Sequence, residues 1–353
     1  MCRIVYRLRG ARNGLSQAGF KSLRLPEWDR HAVANVEHNK RNGALYVRDW
    51  PIYCEDVRHV DWSPYSGPDL VAGGPPCQPF SVGGRHRGNE DERDMWPEAV
   101  RVVRETQPLA FVFENVRGLK RAAFFDYLRW VTLSLSCPNT VRRPGEDAQA
   151  HLQRLEVTKD DATYDVEVHS VNAADYGAAQ KRHRVIIIGI RRDAGIFLPR
   201  LSPTHSRERL LWDQWISREY WKRHGLDVTK FRPSSIDEVT IGKIRAERRI
   251  PAGLPWLTIR DAVGDSGDPR LTQVPIANHT FQPGARSYPR HTGSSLDMPA
   301  KALKAGVHGV PGGENMMCLP DGTVRYFTVR EAARLQGLPD EYEFIGAWSE
   351  NMR

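Results

Sequence analysis

The chain has 353 residues, 40% of them hydrophobic and 27% charged, with a formal net charge of +8; it is long enough for one large core and a smaller one, and its cations suit a polyanionic partner. No apolar run approaches the roughly 18 residues of a membrane span, and the N-terminus has no signal-peptide core. The five cysteines, at positions 2, 54, 77, 137 and 318, form no CxxC pair, which argues against a disulfide framework or a structural zinc site and fits a reducing cytoplasm.

The first half alternates short apolar runs with helix-like stretches, the pattern of a doubly wound α/β sheet. Arg7-Leu-Arg-Gly-Ala-Arg-Asn-Gly14 comes first, followed by Leu15-Ser16 and Gly19-Phe20. Glu27 and Trp28 then open a stretch running to Asn39, and Asp56-Val57 follows. Each acid alone reads as a surface charge. Leu70-Val-Ala72 reads as a buried strand that runs into Gly73-Gly-Pro-Pro-Cys-Gln-Pro-Phe-Ser81. Pro75, Pro76 and Pro79 stiffen that loop, so a nucleophilic Cys77 would be held in place. Taken alone, the loop fits a buried structural cysteine equally well.

Pro97 to Glu105 and Phe124 to Leu135 read as amphipathic helices, and Ala110 to Phe113 and Val185 to Gly189 as further buried parallel strands. Phe111-Val-Phe-Glu-Asn-Val-Arg-Gly-Leu119 places Glu114 and Asn115 after one of these strands. Gln180-Lys-Arg-His-Arg184 is a basic cluster that alone reads as a solvated face or a phosphate contact. Beyond Arg191 the periodicity breaks, and residues 195–320 read as a small loop-rich domain. Helical character resumes from Thr328 to Gln336, with Thr328 and Glu331 spaced as a capping box.

Taken in order, the GGPPCQPFS loop, the Glu-Asn-Val block, the QxRxR block and Phe327 to Asp340 resemble the signatures of the cytosine-C5 DNA methyltransferases. These four blocks lie between residue 73 and residue 340. It implies an α/β fold: a doubly wound, Rossmann-like, S-adenosylmethionine-dependent catalytic domain over 1–194 and a target-recognition domain over 195–320. A return segment, 321–353, would pack on the catalytic domain. Cytosine C5 is a poor nucleophile, so a thiolate must first add to C6. The resemblance gives that addition to Cys77, on a base flipped from the stack. Glu114 would bond to N3 and the exocyclic amine, Arg182 would approach O2, and Arg184 would brace the loop. Gln78, Ser81, Asn115 and Gln180 would serve nucleic-acid binding, Asn115 also fixing the loop.

For the donor, S-adenosylmethionine, the resemblance implies Gly14, Leu15, Glu27, Trp28, Asp56, Val57 and Pro75. Glu27 would hold the ribose hydroxyls, as in dinucleotide folds, with Trp28 against the adenine and Asp56-Val57 reading its amino group. No metal is implied. The expected partners are double-stranded DNA and a cognate restriction endonuclease or a complementing polypeptide, for a monomeric, cytoplasmic, membrane-free protein. A tRNA cytosine-C5 methyltransferase and a silent or split nucleic-acid-binding remnant are the alternatives. A dinucleotide-dependent oxidoreductase lacks its GxGxxG turn and leaves the cysteine loop unexplained.

The chain departs from the family pattern twice. Arg7 to Gly14 stands where the family has a DLFxGxGG turn, keeping only Gly14, and the chain stops at Met352-Arg353, where the family continues into a GNAVP-type segment. Both departures touch the methionine pocket, so weak donor binding with surviving base binding is the expectation. In the target-recognition region Arg207, Arg209, Lys222, Arg223, Arg245, Arg248, Arg249, Arg286 and Arg290 are candidate phosphate contacts. Trp212, Trp215 and Trp221 read as core more readily than as base-stacking platforms. Asn278-His279-Thr280 and Pro299-Ala300 resemble family landmarks and specify no base.

Overall fold

A computed structural model of the chain describes residues 3–5, 11–76, 94–271, 275–305 and 313–352. Its contacts divide the chain into two units, 1–171 with 183–201 and 172–182 with 202–353.

The first unit is built on a seven-stranded sheet. In chain order the strands are β1 (Arg3–Val5), β2 (Lys21–Glu27), β3 (Ile52–Cys54), β4 (Leu70–Gly73), β5 (Ala110–Val116) and β6 (Tyr164–Asn172), and then, after β7 (Gln180–Lys181) of the second unit, β8 (His183–Arg191). Their order across the sheet is β3-β2-β1-β4-β5-β8-β6. The helices of this unit are α1 (Ala11–Gln17), α2 (Arg30–Arg41), α3 (Trp96–Thr106), α4 (Phe125–Ser136) and α5 (Ala148–Thr158). Strands β1 to β5 pair in parallel, as the alternating pattern predicts. The Val185 to Gly189 run was expected to be parallel too, yet β8 runs antiparallel to β5. Parallel neighbours need a crossover of about a dozen or more residues, usually a helix, and the 173–182 link from β6 to its neighbour β8 holds only a 3-10 turn, Ala173–Tyr176, and β7.

The two predicted helices form within a residue of their expected ends. α3 buries Trp96, Ala99, Val102 and Val103, and α4 buries Tyr127, Val131 and Leu135. These pack with Val71, Phe111, Phe113, Val185 and Ile187 of the strands in one core cluster. Each such side chain is worth about 1.5–3 kcal/mol when fully buried. Gly189 is a glycine of necessity here: a Cβ on it would stand 2.1 Å from the Phe111 ring, which is itself fully buried.

The second unit is more helical than its sequence suggests. Between β9 (His205–Ser206) and its partner β10 (Leu254–Pro255) lie α6 (Arg207–Trp215), α7 (Glu219–Arg223) and α8 (Ser235–Glu247). After α9 (Ile259–Val263) come β11 (Ser294–Ser295), β12 (Ala300–Lys301), β13 (Met316–Cys318), β14 (Val324–Tyr326), α10 (Val329–Leu335) and α11 (Trp348–Asn351). The tryptophans are packing residues. Trp221 stacks on Phe231 at 4.2 Å, and Trp212 and Trp215 lie against Leu211, Ile241 and Ile244. A further cluster joins Ile259 and Val263 to Phe327, Ala332, Leu335 and Met352. Segment 321–353 therefore shares its core with the second unit, whereas the sequence placed it as a return to the first.

The Thr328–Glu331 capping box forms as predicted, with Thr328 Oγ1 accepting from Glu331 N and Glu331 accepting from Thr328 N. Glu331 is fully buried and takes two bonds from Arg325, at 2.7 and 2.6 Å. Removing one member of such a pair strands the other charge in the interior. Arg325→Met should therefore cost about 3–5 kcal/mol, read as a lowered midpoint in chemical unfolding. A shift of under about 1 kcal/mol would contradict the pairing.

Candidate active site

Four strand ends of the first unit carry the expected site residues. At the end of β2, Glu27 is 1% exposed and accepts a bond from Asp29 N at 2.9 Å, while the next residue, Trp28, is 65% exposed. Asp29 caps α2 by accepting from His31 N and Ala32 N, which explains the sharp turn from strand to helix. β3 pairs beside β2, with Glu27 opposite Cys54, and Glu55 N donates to the Glu27 carbonyl at 3.2 Å. Asp56 and Val57 thus stand next to Glu27 and Trp28. Asp56 caps the following turn, and the hydrogen bonds from Arg58, at 2.9 and 2.5 Å to one oxygen, hold its carboxyl below the usual range. The Arg58 clamp escaped the sequence reading, although an Asp-x-Arg spacing could have signalled it.

The arrangement suits an adenosine-like group. A buried carboxylate at a strand end can accept ribose hydroxyls, and an exposed indole beside it offers a flat apolar face. In α1, Leu15 packs with Leu70 and Ala72 of β4, and Gly14 has nothing within 4 Å of where a Cβ would be. Open space at Gly14 is compatible with a ligand approaching the backbone.

At the ends of β4 and β5 the geometry turns towards the cysteine loop. Cys77, Gln78 and Ser81 lie outside the described residues. The chain up to them is fixed: Asn115, 1% exposed, donates from Nδ2 to the Pro75 carbonyl at 3.1 Å and accepts from Val116 N through Oδ1. Both ends of its amide are therefore used inside the protein. This makes Asn115 a brace for the loop, where the sequence reading also gave it a nucleic-acid contact. Glu114, its neighbour on β5, is part-exposed and forms an ion pair with Arg184 of β8. Glu114 stands opposite Ile186, and Val116 opposite Arg184, so the pair is a cross-strand diagonal of an antiparallel ladder.

The remaining two residues belong to the second unit. Arg182 donates to the Leu303 carbonyl at 3.2 Å. Gln180, on β7 beside Ala300 of β12, is 1% exposed, and neither atom of its amide has a hydrogen-bond partner among the described residues. A buried orphan amide is costly unless a ligand satisfies it. Arg207, Arg209 and Arg223 are engaged by Asp237, Asp213 and Asp261, so these three expected phosphate contacts are internal ion pairs.

If Glu27 receives ribose hydroxyls, Glu27→Ala should weaken donor binding by at least about 10-fold, the loss of one charge-assisted bond or more. Titration calorimetry with the donor and its demethylated product would check it, and unchanged affinity would remove Glu27 from the site.

Comparison with known proteins gives the family and the fold. The family model described as C-5 cytosine-specific DNA methylase matches residues 7–135 and 145–353. Type II methyltransferase M.PspPI of Psychrobacter sp. (strain TA137) is 30% identical over 344 residues, 95% of this chain and 69% of that protein. Type II methyltransferase M.NgoMIV of Neisseria gonorrhoeae is 31% identical over 218 residues, 59% of this chain and 60% of that protein. Among solved structures, a mutant of Spodoptera frugiperda DNMT2 covers all of this chain and 94% of its own, with TM-score 0.55 and 9% identity. That last likeness is one of fold.

Proposed function

This chain belongs to the C-5 cytosine-specific DNA methylase family, and from that membership we propose that it methylates C5 of cytosine in duplex DNA through an adduct between Cys77 and a flipped-out base. The observation that carries the reading is the brace from Asn115 to the Pro75 carbonyl. It ties Pro75, two residues before Cys77 in the sequence, to the end of the strand that bears Glu114.

A free thiol titrates near 8.5, so addition to C6 needs help. Glu114 would donate a proton to N3 and accept a hydrogen bond from the exocyclic amine, so the electron pair pushed into the ring by the thiolate is neutralised at N3. Arg184 holds that carboxyl in place from β8. S-adenosylmethionine, the donor of this family, supplies the electrophilic methyl group. With sulfur on C6, C5 has enamine character and would take the methyl as the donor's S–CH3 bond breaks, leaving the demethylated thioether. Loss of the C5 proton then expels the Cys77 thiolate and restores the ring. By the family pattern Arg182 would approach O2 of the base, and Gln180 would contact the nucleic acid. Like its Type II relatives, the chain would protect sites against a cognate restriction endonuclease.

The test is methyl transfer with labelled donor to unmethylated mixed-sequence duplex DNA and, in parallel, to tRNA. Label recovered as 5-methylcytosine in the duplex supports the proposal. Label confined to tRNA, or none in either, would overturn it.

A further inference from the structure

Among the described residues nothing packs on one face of α8. Its inner face buries Ile241 and Ile244 against Leu211, Trp212, Trp215 and Ile216 of the α6 region. On the opposite line, helical spacing aligns Ser235, Val239, Gly242 and Ala246, all exposed, with Ile236 alongside. Ile236 is 71% exposed and Val239 63%, and a Cβ added to Gly242 would meet nothing within 4 Å. A face meant only for water would carry Glu, Lys or Gln. This one carries Ile236, Val239 and Gly242, weak helix formers that gain no packing in return, with Lys243 among them.

The surroundings say what fits it. Along α8 and just beyond it lie four cations, Lys243, Arg245, Arg248 and Arg249, and three carboxylates, of which Asp237 is held by Arg207 and Glu247 by Arg249, leaving Glu238; the four cations are exposed. Arg248 closes the helix in the left-handed region, at φ 52°, a place where glycine is favoured. A cation is kept there at a conformational cost. A slim apolar ridge bordered by arginines is complementary to a polyanion with apolar groups in its floor.

We propose that this outer face of α8 enters the major groove of duplex DNA and reads part of the target sequence, a proposal that rests on the DNA substrate argued above. At about 1.5 Å per residue the helix is roughly 20 Å long, and a groove about 12 Å wide admits it. The absent side chain at Gly242 lets the backbone approach base edges. Val239 and Ile236 meet thymine methyls, and the arginines beyond the helix end take phosphates.

The test uses the full chain with Val239→Glu, Gly242→Glu and Gly242→Ala. Binding to a 30-base-pair mixed-sequence duplex is followed by fluorescence anisotropy at two salt concentrations, beside thermal unfolding, light scattering and labelled methyl incorporation. The glutamate variants should bind at least about 10-fold more weakly. Gly242→Ala should melt higher, because alanine favours the helix, yet bind DNA more weakly or methylate an altered set of sequences. It carries the test if the glutamate variants fail to fold. Unchanged binding and unchanged sites in the folded variants overturn the proposal and leave the methyltransferase reading intact. Loss of self-association with DNA binding intact would overturn it in favour of a second copy of the chain. An unaltered chain that neither binds nor methylates duplex DNA would overturn both readings together.

Discussion

Cys77→Ala should abolish methyl transfer to duplex DNA, a loss of at least about 10⁴-fold, the scale on which removal of a covalent nucleophile is felt. Without sulfur on C6, C5 never becomes nucleophilic, and no other group in the site can substitute for that bond. DNA affinity should change little, since the duplex is held mainly by contacts elsewhere. The direct readout is a duplex in which 5-fluorocytosine replaces the target base. Fluorine at C5 leaves no proton to remove after methylation, so the unaltered chain should remain joined to the DNA through denaturation and the variant should not. Of the other thiols, Cys137 is buried, and desolvation pushes it above its ordinary range. Cys54 is exposed. An adduct that peptide mapping places on Cys54 would sink the assignment.

Glu114→Gln should lower kcat by about 10² to 10⁴-fold while DNA binding persists. The amide keeps the shape of the carboxyl but can neither carry its charge nor donate a proton to N3 in the same way. The change also leaves Arg184 without its cross-strand partner, so a structural explanation must be separated from a chemical one. Glu114→Asp does this. It retains the charge but shortens the reach, and should recover part of the lost rate if the carboxylate acts on the base. Equal losses in both variants, together with a lowered melting temperature, would reduce Glu114 to a support for Arg184. A kcat within about threefold of the unaltered chain would remove it from the mechanism altogether.

The donor residues show how unevenly a site is written in a sequence. Glu27, Trp28 and Asp56 were legible as an ordered set, and adjacent parallel strands bring them together. The hold of Arg58 on Asp56 was not, although only one residue separates them, because an exposed arginine has many local partners. Asn115 was read as touching nucleic acid as well as fixing the loop. Its amide joins the end of β5 to the Pro75 carbonyl, 40 positions away in the chain, a pairing that no local pattern specifies.

What the sequence determined by itself was whatever depends on near neighbours. Apolar runs gave β4, β5 and β8 their burial, periodic spacing gave α3 and α4, and the Thr328–Glu331 spacing gave the α10 cap. Each of these is settled within a few residues by hydrogen bonding and hydrophobic period. Only the tertiary structure decided the direction of β8, the helices hidden in the 207–247 region, and the membership of 321–353 in the second unit. It alone decided which arginines face a carboxylate and which face solvent. Strand direction follows from the length of a connection, and packing from residues far apart in the chain, such as Leu211 with Ile241 and Ile244. Those energies exist only once the chain has closed on itself, because they belong to pairs of surfaces and not to segments.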